Sequence, residues 1–307
     1  MRERSYPTIL LVGILACVSI FGLLSIQQSK EAQQEYFTEL SIKTEKKINT
    51  FLNVPLEASS VYVYDMSDNE VLFEKDAHII RGIASITKLM TFAIAWPKIK
   101  DLNEITISED SVETEGYSPL LPGSTWSPED LLSLMLISSS NDAAEAIKDS
   151  LVNQLGSESQ VITSLNEYAQ NIGMKNTSFK NVTGLDEIDR VSNISTAYEV
   201  TLLAKSIIDK YPEVLEATAR LKLSLPKKDI VVENTNPVID QIPNVILSKT
   251  GYTDRAGGNL VIAYKSPTNH HIVIIAVLGS SHEGRFHDTL TLVNRTEEYF
   301  KQIPSIE

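Results

Sequence analysis

The longest apolar stretch of this chain covers residues 8–26, near the N-terminus, and contains no charged side chain. Nineteen residues in an α-helix rise roughly 28 Å, which is close to the hydrocarbon thickness of a bilayer. Arg2 and Arg4 precede the stretch, and positive charge on one flank favours the cytoplasmic side for that flank. We therefore expect a cytoplasmic tail over residues 1–6, a transmembrane anchor over residues 7–26 and the remainder outside the membrane.

Two other fates of this apolar segment stay open. A removed signal peptide would need a small-x-small cleavage site, whereas residues 27–30 read Gln-Gln-Ser-Lys, which favours a retained anchor. Residues 14–17, Ile-Leu-Ala-Cys, loosely resemble a lipidation motif, although residues 18–26 stay mostly apolar where a lipidated protein would turn polar. Cys17 is the only cysteine, so no intrachain disulfide is possible.

Residues 27–56 are polar and charged, with apolar side chains at loosely helical spacing among them. The pattern predicts a juxtamembrane stalk helix, and a flexible linker is the alternative. Pro55 ends the segment. We expect one catalytic domain to follow over residues 57–303.

The hydrophobic pattern of this domain changes along the chain. Residues 60–64 and 70–73 are β-rich runs on either side of a polar turn, which predicts a hairpin. Helical spacing then covers residues 85–96, closed by Pro97, and a segment that begins at Ser127 as helix cap. Further helical patterns cover residues 143–155, 161–172 and 197–209.

Strand-like runs return towards the C-terminus. They cover residues 245–247, 260–264 and 271–277, and a last helical pattern follows over residues 284–300. Strands at both ends of a chain with helices between them predict an α/β (α+β) fold. We expect an antiparallel sheet built from N- and C-terminal strands, with an inserted helical lobe packed against it.

Charge and histidine content narrow the function classes. The net charge of −13 argues against a nucleic-acid partner, because a protein that binds the phosphate backbone needs a basic face. The five histidines show no metal-ligand spacing with carboxylates, so we predict no metal site.

Ser85 and Lys88 are the first candidates for chemistry. They lie three residues apart at the start of a predicted helix, so their side chains share one face. A serine hydroxyl is a weak nucleophile, and a lysine amine becomes a base for it when desolvation and a neighbouring cation lower the lysine pKa. Ser224 and Lys227 have the same spacing, but Pro226 lies between them and no apolar helical run follows. The context favours Ser85 as nucleophile and Lys88 as its base.

Ser139-Ser140-Asn141 is the second candidate segment, between two predicted helices. A hydroxyl there can pass a proton to a leaving amine, and the amide can hold a substrate backbone. Ser67-Asp68-Asn69 and Ser164-Leu165-Asn166 share the pattern. Capping or turn formation explains any such triplet taken alone.

Lys249-Thr250-Gly251 is the third segment, directly after the predicted strand 245–247. A cation and a hydroxyl at a strand end can bind a substrate carboxylate, and a glycine lets the substrate backbone approach closely. An ordinary strand-to-turn ending explains this segment taken alone. The three segments together, in this order, favour acyl transfer through a serine.

From residue 60 to about residue 300, the chain resembles the serine-type D-Ala-D-Ala carboxypeptidases, the low-molecular-mass penicillin-binding proteins. Beyond the three segments, the resemblance rests on residues 135–144, 181–186, 234–237, 252–253 and 256–257. It implies a β-lactamase/transpeptidase-like fold, no cofactor, and a catalytic domain outside the cytoplasm at the bacterial cell membrane.

The resemblance also implies roles by position. Catalytic roles fall on Ser85, Lys88, Ser139, Asn141 and Lys249. Substrate-binding roles fall on Thr250, Gly251, Tyr252 and Arg285. In these roles, one serine is acylated beside its lysine base, the second serine relays a proton beside the second lysine, and the asparagine orients the substrate. The backbone N–H groups of Ser85 and Tyr252 would form the oxyanion hole. A surface arginine that begins a helix is the alternative for Arg285.

The implied reaction releases terminal D-alanine from a peptidoglycan stem peptide, and β-lactams would acylate Ser85 as mimics of that substrate. Three alternatives stay open. A β-lactamase would need a deacylating base, for which Glu187 is the candidate. A DD-endopeptidase would use the same chemistry on cross-links. A sensor would bind β-lactam or muropeptide without turnover.

Overall fold

The computed structural model describes residues 6–112, 118–225 and 228–303, without the side chains of residues 6–20, 22–23, 213–214 and 216. Over these residues the helices and strands follow the predicted order. The helices are α1 (Tyr6–Phe51), α2 (Thr87–Ile99), α3 (Pro128–Ile137), α4 (Asn141–Leu155), α5 (Glu158–Asn171), α6 (Ala197–Lys210), α7 (Pro212–Leu215) and α8 (Gly284–Gln302). The strands are β1 (Ser60–Asp65), β2 (Glu70–Lys75), β3 (Arg81–Gly82), β4 (Ile105–Thr106), β5 (Thr125–Trp126), β6 (Ile194–Ser195), β7 (Lys222–Leu225), β8 (Ile230–Glu233), β9 (Val245–Thr253), β10 (Gly257–Lys265) and β11 (Ile272–Ser280).

Within the described residues, helix α1 belongs to a compact unit of residues 6–52 with 302–303, and residues 53–301 belong to a second unit. Within the part of the chain that the structure describes, no helix is both long and apolar enough to cross a membrane. Most side chains of the predicted anchor, residues 7–26, lie outside that part. The membrane span therefore stays a prediction.

The second unit is built on a five-stranded antiparallel sheet in the order β2-β1-β11-β10-β9. Strand β1 pairs with β11 from the far end of the chain, with Val63 opposite Ile275. Both of these side chains are fully buried, as are their neighbours Tyr62, Ile274 and Ala276 on the other face. Because both faces are covered, these strands read as continuous apolar runs rather than as alternating ones.

Helices α2 to α6 form the lobe that packs against one face of this sheet. Its core includes Met90, Leu132, Ile147 and Leu203, each fully buried. Helices α3 to α6 begin at side-chain caps, whereas α2 has none. Ser127 Oγ accepts a hydrogen bond from the N–H of Asp130 at 3.2 Å, and Ser140 and Thr196 cap α4 and α6 in the same way. The predicted mixed fold, with terminal strands and an inserted helical lobe, is confirmed.

Three local predictions differ from the structure. Ser85 lies in a 3-10 turn, Ala84–Ile86, and α2 begins two residues after it, at Thr87. Pro97 lies inside α2, which continues to Ile99, because a proline in the last turn removes only one hydrogen bond. Lys249-Thr250-Gly251 does not follow a strand but lies within β9, the edge strand of the sheet.

Candidate active site

Ser85 and Lys88 meet at the start of α2, as their spacing predicts. The Nζ of Lys88 lies 2.9 Å from the Oγ of Ser85. The preceding residue, Ala84, has a φ of 44°, in the left-handed region that alanine rarely adopts. Backbone strain of this kind directly beside a reactive side chain is commonly retained for function.

The environment of Lys88 favours a neutral amine. The side chain is fully buried, and its Nζ also donates to Asn141 Oδ1 and to the carbonyl of Thr183, both at 2.7 Å. Desolvation by burial lowers the pKa of Lys88 to about 7, against an opposing effect from the charge of Glu145. Near neutral pH, a large share of the protein therefore carries an amine able to accept the proton of Ser85.

Ser139 and Lys249 form a second hydroxyl–amine pair in the same site, brought together from residues 110 apart. The Nζ of Lys249 donates to Ser139 Oγ at 2.8 Å and to the carbonyl of Thr250 at 2.8 Å. Ser139 has a φ of 61° in the link between α3 and α4, and the next residue, Ser140, caps α4 by accepting from the N–H of Ala143. The strained link thus presents one hydroxyl to the lysine and uses the next one for the helix.

The second lysine also favours the neutral amine. Lys249 is buried in β9, and desolvation lowers its pKa well below the ordinary value, with further lowering from the charges of Lys88 and Arg285. Two buried amines in one site oppose each other's protonation. The protonated form of Lys88 therefore favours the neutral form of Lys249, whereas burial is what lowers the pKa of Lys88.

Strand β9 runs directly beside the turn that carries the nucleophile. A Cβ added to Gly251 would lie 2.8 Å from the carbonyl oxygen of Ile83 and 3.0 Å from the backbone N of Ser85. This close approach requires glycine. The hydroxyl of Thr250 lies 2.5 Å from that of Thr235, while Tyr252 is exposed.

Arg285 reaches the same edge of the sheet from the first turn of α8. Its guanidinium is buried rather than on the surface, and NH1 donates to the carbonyl of Gly251 at 2.9 Å. The guanidinium carbon lies 5.7 Å from the ring centroid of Tyr252. The structure thus brings all nine sequence-predicted site residues to one region, around β9, the start of α2 and the α3–α4 link.

The segment 181–186 lies against the turn that carries the nucleophile, a role that the sequence analysis did not assign to it. Gly184 has a φ of 86°, and a Cβ there would lie only 2.0 Å from the carbonyl oxygen of Ala84. The preceding carbonyl, of Thr183, accepts a hydrogen bond from Lys88. The likeness of residues 181–186 to a family segment was the available signal, but a backbone carbonyl leaves no side-chain signature from which to infer its role.

Asn193 fixes this supporting segment to α2. Its Nδ2 donates to Thr87 Oγ1 at 2.9 Å and to the carbonyl of Asn181 at 3.0 Å, and its Oδ1 accepts from the N–H of Lys180 at 2.7 Å. The amide is almost fully buried. A single side chain therefore connects the helix that bears the base with the segment that accepts from it.

Glu187, the candidate base for a β-lactamase, does not join the site. Its carboxylate pairs with Arg190 at 2.5 Å and lies 3.9 Å from Lys180. The hydrogen bond from Arg190 lowers the pKa of Glu187, and the carboxylate is solvent-exposed. This geometry gives no support to a deacylation step through Glu187.

Residues that share the site motifs elsewhere in the chain have structural roles. Ser224 lies on β7 in a small hairpin, so its spacing to Lys227, which is outside the described residues, is not that of a helix. Asn166 lies inside α5 and donates to the carbonyls of Ile162 and Phe179. Asp68 lies in the β1–β2 turn.

His271 lies near two carboxylates, away from the three segments. His271 Nδ1 lies 2.7 Å from Asp65 Oδ2 and 4.0 Å from Asp68 Oδ2. The other oxygen of Asp65 accepts from the backbone N–H groups of Ser67 and Asp68. Residue spacing could not reveal this contact, because β1 and β11 are paired across the whole chain. The arrangement is that of a turn stabilised by an aspartate.

Comparison with known proteins gives a consistent result. The family model described as D-alanyl-D-alanine carboxypeptidase, Peptidase S11, matches residues 43–282, a range that ends just before Arg285. The D-alanyl-D-alanine carboxypeptidase DacF of Bacillus subtilis is 32% identical over 229 residues, which are 71% of this chain and 57% of the relative. The chain thus spans little more than half the length of that relative.

Two further proteins match this chain over a larger share of their own length than DacF does. A D-alanyl-D-alanine endopeptidase of Pseudomonas aeruginosa is 31% identical over 278 residues, 87% of this chain and 83% of the relative. The crystal structure of penicillin-binding protein D2 from Listeria monocytogenes, in its ampicillin-bound form, is 30% identical and has a TM-score of 0.66. That similarity covers 79% of this chain and 98% of the Listeria chain.

Proposed function

Since the chain belongs to the D-alanyl-D-alanine carboxypeptidase family of serine peptidases, we propose that it removes the terminal D-alanine from peptidoglycan stem peptides through an acyl-enzyme on Ser85. The observation that carries the proposal is the contact of 2.9 Å between Ser85 Oγ and the buried Nζ of Lys88. A nucleophile with its own base at hydrogen-bond distance is the arrangement that serine acylation requires.

In the acylation step, neutral Lys88 takes the proton of Ser85 while Oγ attacks the carbonyl carbon of the penultimate D-alanine. The backbone N–H groups of Ser85 and Tyr252 stabilise the negative charge that develops on the carbonyl oxygen. When the C–N bond breaks, Ser139 gives its proton to the departing amine. The proton that Lys88 took from Ser85 then passes to Ser139, which restores that hydroxyl and returns Lys88 to its neutral form. Lys249 donates a hydrogen bond to Ser139 Oγ at 2.8 Å and stabilises this oxygen while the proton moves.

Deacylation reverses these roles. A water molecule attacks the ester carbonyl, one of its protons passes to the amine of Lys88, and the C–O bond to Ser85 breaks as the hydroxyl is reformed. The products are the shortened stem peptide and free D-alanine. All bonds and protons of the two steps are accounted for by the chain, the substrate and water.

Substrate binding uses the edge of β9. The hydroxyl of Thr250 and the guanidinium of Arg285 bind the terminal carboxylate, because a charged, planar donor matches a carboxylate. The amide of Asn141 orients the stem peptide. β-Lactams would acylate Ser85 as mimics of the same substrate, and the ampicillin-bound form of the Listeria protein supports β-lactam binding by this fold.

A single assay on the purified full chain tests the proposal. The chain is incubated with a pentapeptide that ends in D-Ala-D-Ala and, separately, with penicillin. We expect D-alanine release and a slowly cleared penicilloyl adduct, both abolished in Ser85→Ala and both retained in Ser224→Ala, an exposed serine of the duplicate spacing. Fast penicillin turnover would instead indicate a β-lactamase, and labelling without D-alanine release would indicate a sensor.

Cleavage of cross-links is the second candidate, because several relatives, including the Pseudomonas protein, are named endopeptidases. The chemistry at Ser85 is unchanged in that reaction, and only the leaving group is larger. A dimeric muropeptide with a D-Ala-meso-diaminopimelate cross-link separates the two activities. Faster cleavage of the cross-link than of the pentapeptide would assign the chain to the endopeptidases.

We also propose that residues 7–26 anchor the chain in the bacterial cell membrane, with the catalytic domain outside the cytoplasm. The uncharged apolar run and the preceding Arg2 and Arg4 support this orientation. The test is to fractionate cells and add protease to spheroplasts. We expect membrane-bound protein that external protease degrades; release into the soluble fraction with a shortened N-terminus would show a cleaved signal peptide, and a mass gain at Cys17 would show lipidation.

A further inference from the structure

His282 lies outside the three segments, yet it contacts the arginine that faces the edge of β9. Its Nε2 is 3.2 Å from NH2 of Arg285, and its ring packs edge-on against Tyr252 with centroids 4.7 Å apart. Its other ring nitrogen, Nδ1, lies 2.8 Å from Glu283 Oε1. We refer to Tyr252, His282, Glu283 and Arg285 as the Arg285 cluster.

Elementary chemistry fixes the direction of the two histidine hydrogen bonds. A guanidinium has five N–H donors and no acceptor, so Nε2 of His282 must accept from Arg285. A carboxylate has only acceptors, so Nδ1 must carry the proton that is donated to Glu283. Both contacts are satisfied by one species: the neutral imidazole with its proton on Nδ1.

The contacts of Arg285 leave one N–H of NH1 and one of NH2 for a ligand. NH1 donates to the carbonyl of Gly251 and NH2 donates to His282, while Nε is buried without a hydrogen-bond partner. The guanidinium carbon also lies 4.6 Å from the ring centroid of Phe286. Hydrogen bonds therefore fix both terminal nitrogens of the guanidinium, NH1 and NH2. Among the described residues, His282 is the only side chain that accepts a hydrogen bond from Arg285.

We propose that His282 is a positioning residue that, in its neutral Nδ1–H form, holds the guanidinium of Arg285 where it captures the substrate's terminal carboxylate. The inference rests on the proposed function, which it deepens by adding a proton-sensitive element to carboxylate recognition. A second proton on the ring converts Nε2 from acceptor to donor, so the hydrogen bond to Arg285 is lost and two cations face each other.

The charged groups in contact with His282 are Glu283, whose Oε1 lies 2.8 Å from Nδ1, and Arg285. Asp254 accepts from the hydroxyl of Tyr252, and Glu57 accepts from Ser281, the residue before His282. Since the side chain of His282 is 54% exposed, solvent screens all of these charges, and the geometry of the Nε2 contact decides the effect.

The test compares two substrates that differ only in the group that Arg285 would bind. The full chain is assayed with diacetyl-Lys-D-Ala-D-Ala and with its C-terminal amide between pH 5 and pH 8. Both substrates need Lys88 as base, so its titration cancels in the ratio of their kcat/KM values. The substrate carboxylate stays ionised over this range, because an α-carboxyl group has a pKa of about 3.5.

For the parent chain we expect the acid-to-amide ratio to fall about tenfold from pH 8 to pH 5, the low end for a hydrogen bond to a charged partner. His282→Gln keeps an oxygen acceptor at the position of Nε2 and cannot take a proton, so its ratio should stay flat and near the high-pH value. His282→Ala should have a low acid-to-amide ratio of kcat/KM at every pH, mainly because its KM for the acid substrate is raised. His287→Gln, a change at an exposed histidine of α8, should behave like the parent.

A parent ratio that is flat with pH, or a His282→Gln ratio that falls as the parent's does, would overturn the inference. Thermal melting of each variant separates loss of the fold from loss of the contact. If the parent releases no D-alanine at all, the proposed function fails, and the inference is then judged by acylation of Ser85 with penicillin and with its methyl ester. The same dependence of the acid-to-ester ratio on His282 would still be required.

Discussion

Gly184 provides the sharpest test of how the nucleophile is held. In Gly184→Ala, the new Cβ would lie 2.0 Å from the carbonyl oxygen of Ala84, whereas real Cβ contacts essentially never fall below 3.0 Å. The carbonyl must therefore move by about 1 Å, since both atoms belong to backbone and neither is the end of a flexible side chain. Ser85 follows that carbonyl directly and must move with it.

The expected effect is mainly on the rate of acylation. A misplacement of about 1 Å at a reacting group can cost on the order of 100-fold in rate, which equals about 2.7 kcal/mol of transition-state free energy. Alanine at a φ of 86° adds a separate cost of roughly 1–2 kcal/mol to the folded state. The variant should therefore be both less stable and about 100-fold slower in covalent labelling by penicillin.

Gly173→Ala is the matched control. Gly173 has a nearly identical φ of 90°, but its added Cβ would meet nothing closer than Leu202 Cδ1 at 3.8 Å. It should lose the same roughly 1–2 kcal/mol of stability and keep the parental labelling rate. The measurement is the second-order rate constant for labelling by fluorescent penicillin, together with thermal melting. If the two variants label within about threefold of each other, the proposed support of Ser85 by Gly184 is wrong.

The remaining predictions concern the base and the alternative deacylation route. Acylation of Ser85 should rise about tenfold per pH unit below pH 7 and level off above it, because the neutral form of Lys88 is the base and its pKa is about 7; a rate that is constant between pH 5.5 and pH 8, measured by penicillin labelling, would contradict this. Lys88→Ala should lose labelling while retaining a cooperative thermal transition, and labelling at the parental rate would show that another group is the base. Glu187→Gln should leave the half-life of the penicilloyl adduct unchanged, because the carboxylate is paired with Arg190 at the surface; a clear lengthening, followed by intact mass, would revive the β-lactamase alternative.

The Ser85–Lys88 contact was predictable from sequence because it is local: a spacing of three in a helical region determines which side chains meet. The contact between Ser139 and Lys249 crosses 110 positions and was accessible only through the resemblance, since no periodicity relates the α3–α4 link to β9. The strands β10 and β11 were also predictable, because their apolar runs are long and bounded by turns.

The site features that could not be predicted from the sequence depend on backbone conformation. Ala84 and Ser139 take positive φ values, although neither residue type signals them in the way glycine does. The carbonyl of Thr183 accepts from Lys88 with no side-chain feature to announce it. Pro97 was interpreted as a helix end, but α2 continues to Ile99, because a proline in the last turn removes only one hydrogen bond.

The pairing of β1 with β11 has a consequence for the order of events during translation. Ser60 lies opposite Leu278 in the completed sheet, and a ribosome adding about 5–20 residues per second needs roughly 10–40 s to cover that distance. During this wait, the first hairpin has no third strand, and an isolated hairpin is marginally stable at best. A nascent chain halted before residue 280 therefore has Ser85 already synthesised but lacks the completed sheet beside it, so we expect no acylation of Ser85 until β11 has been made.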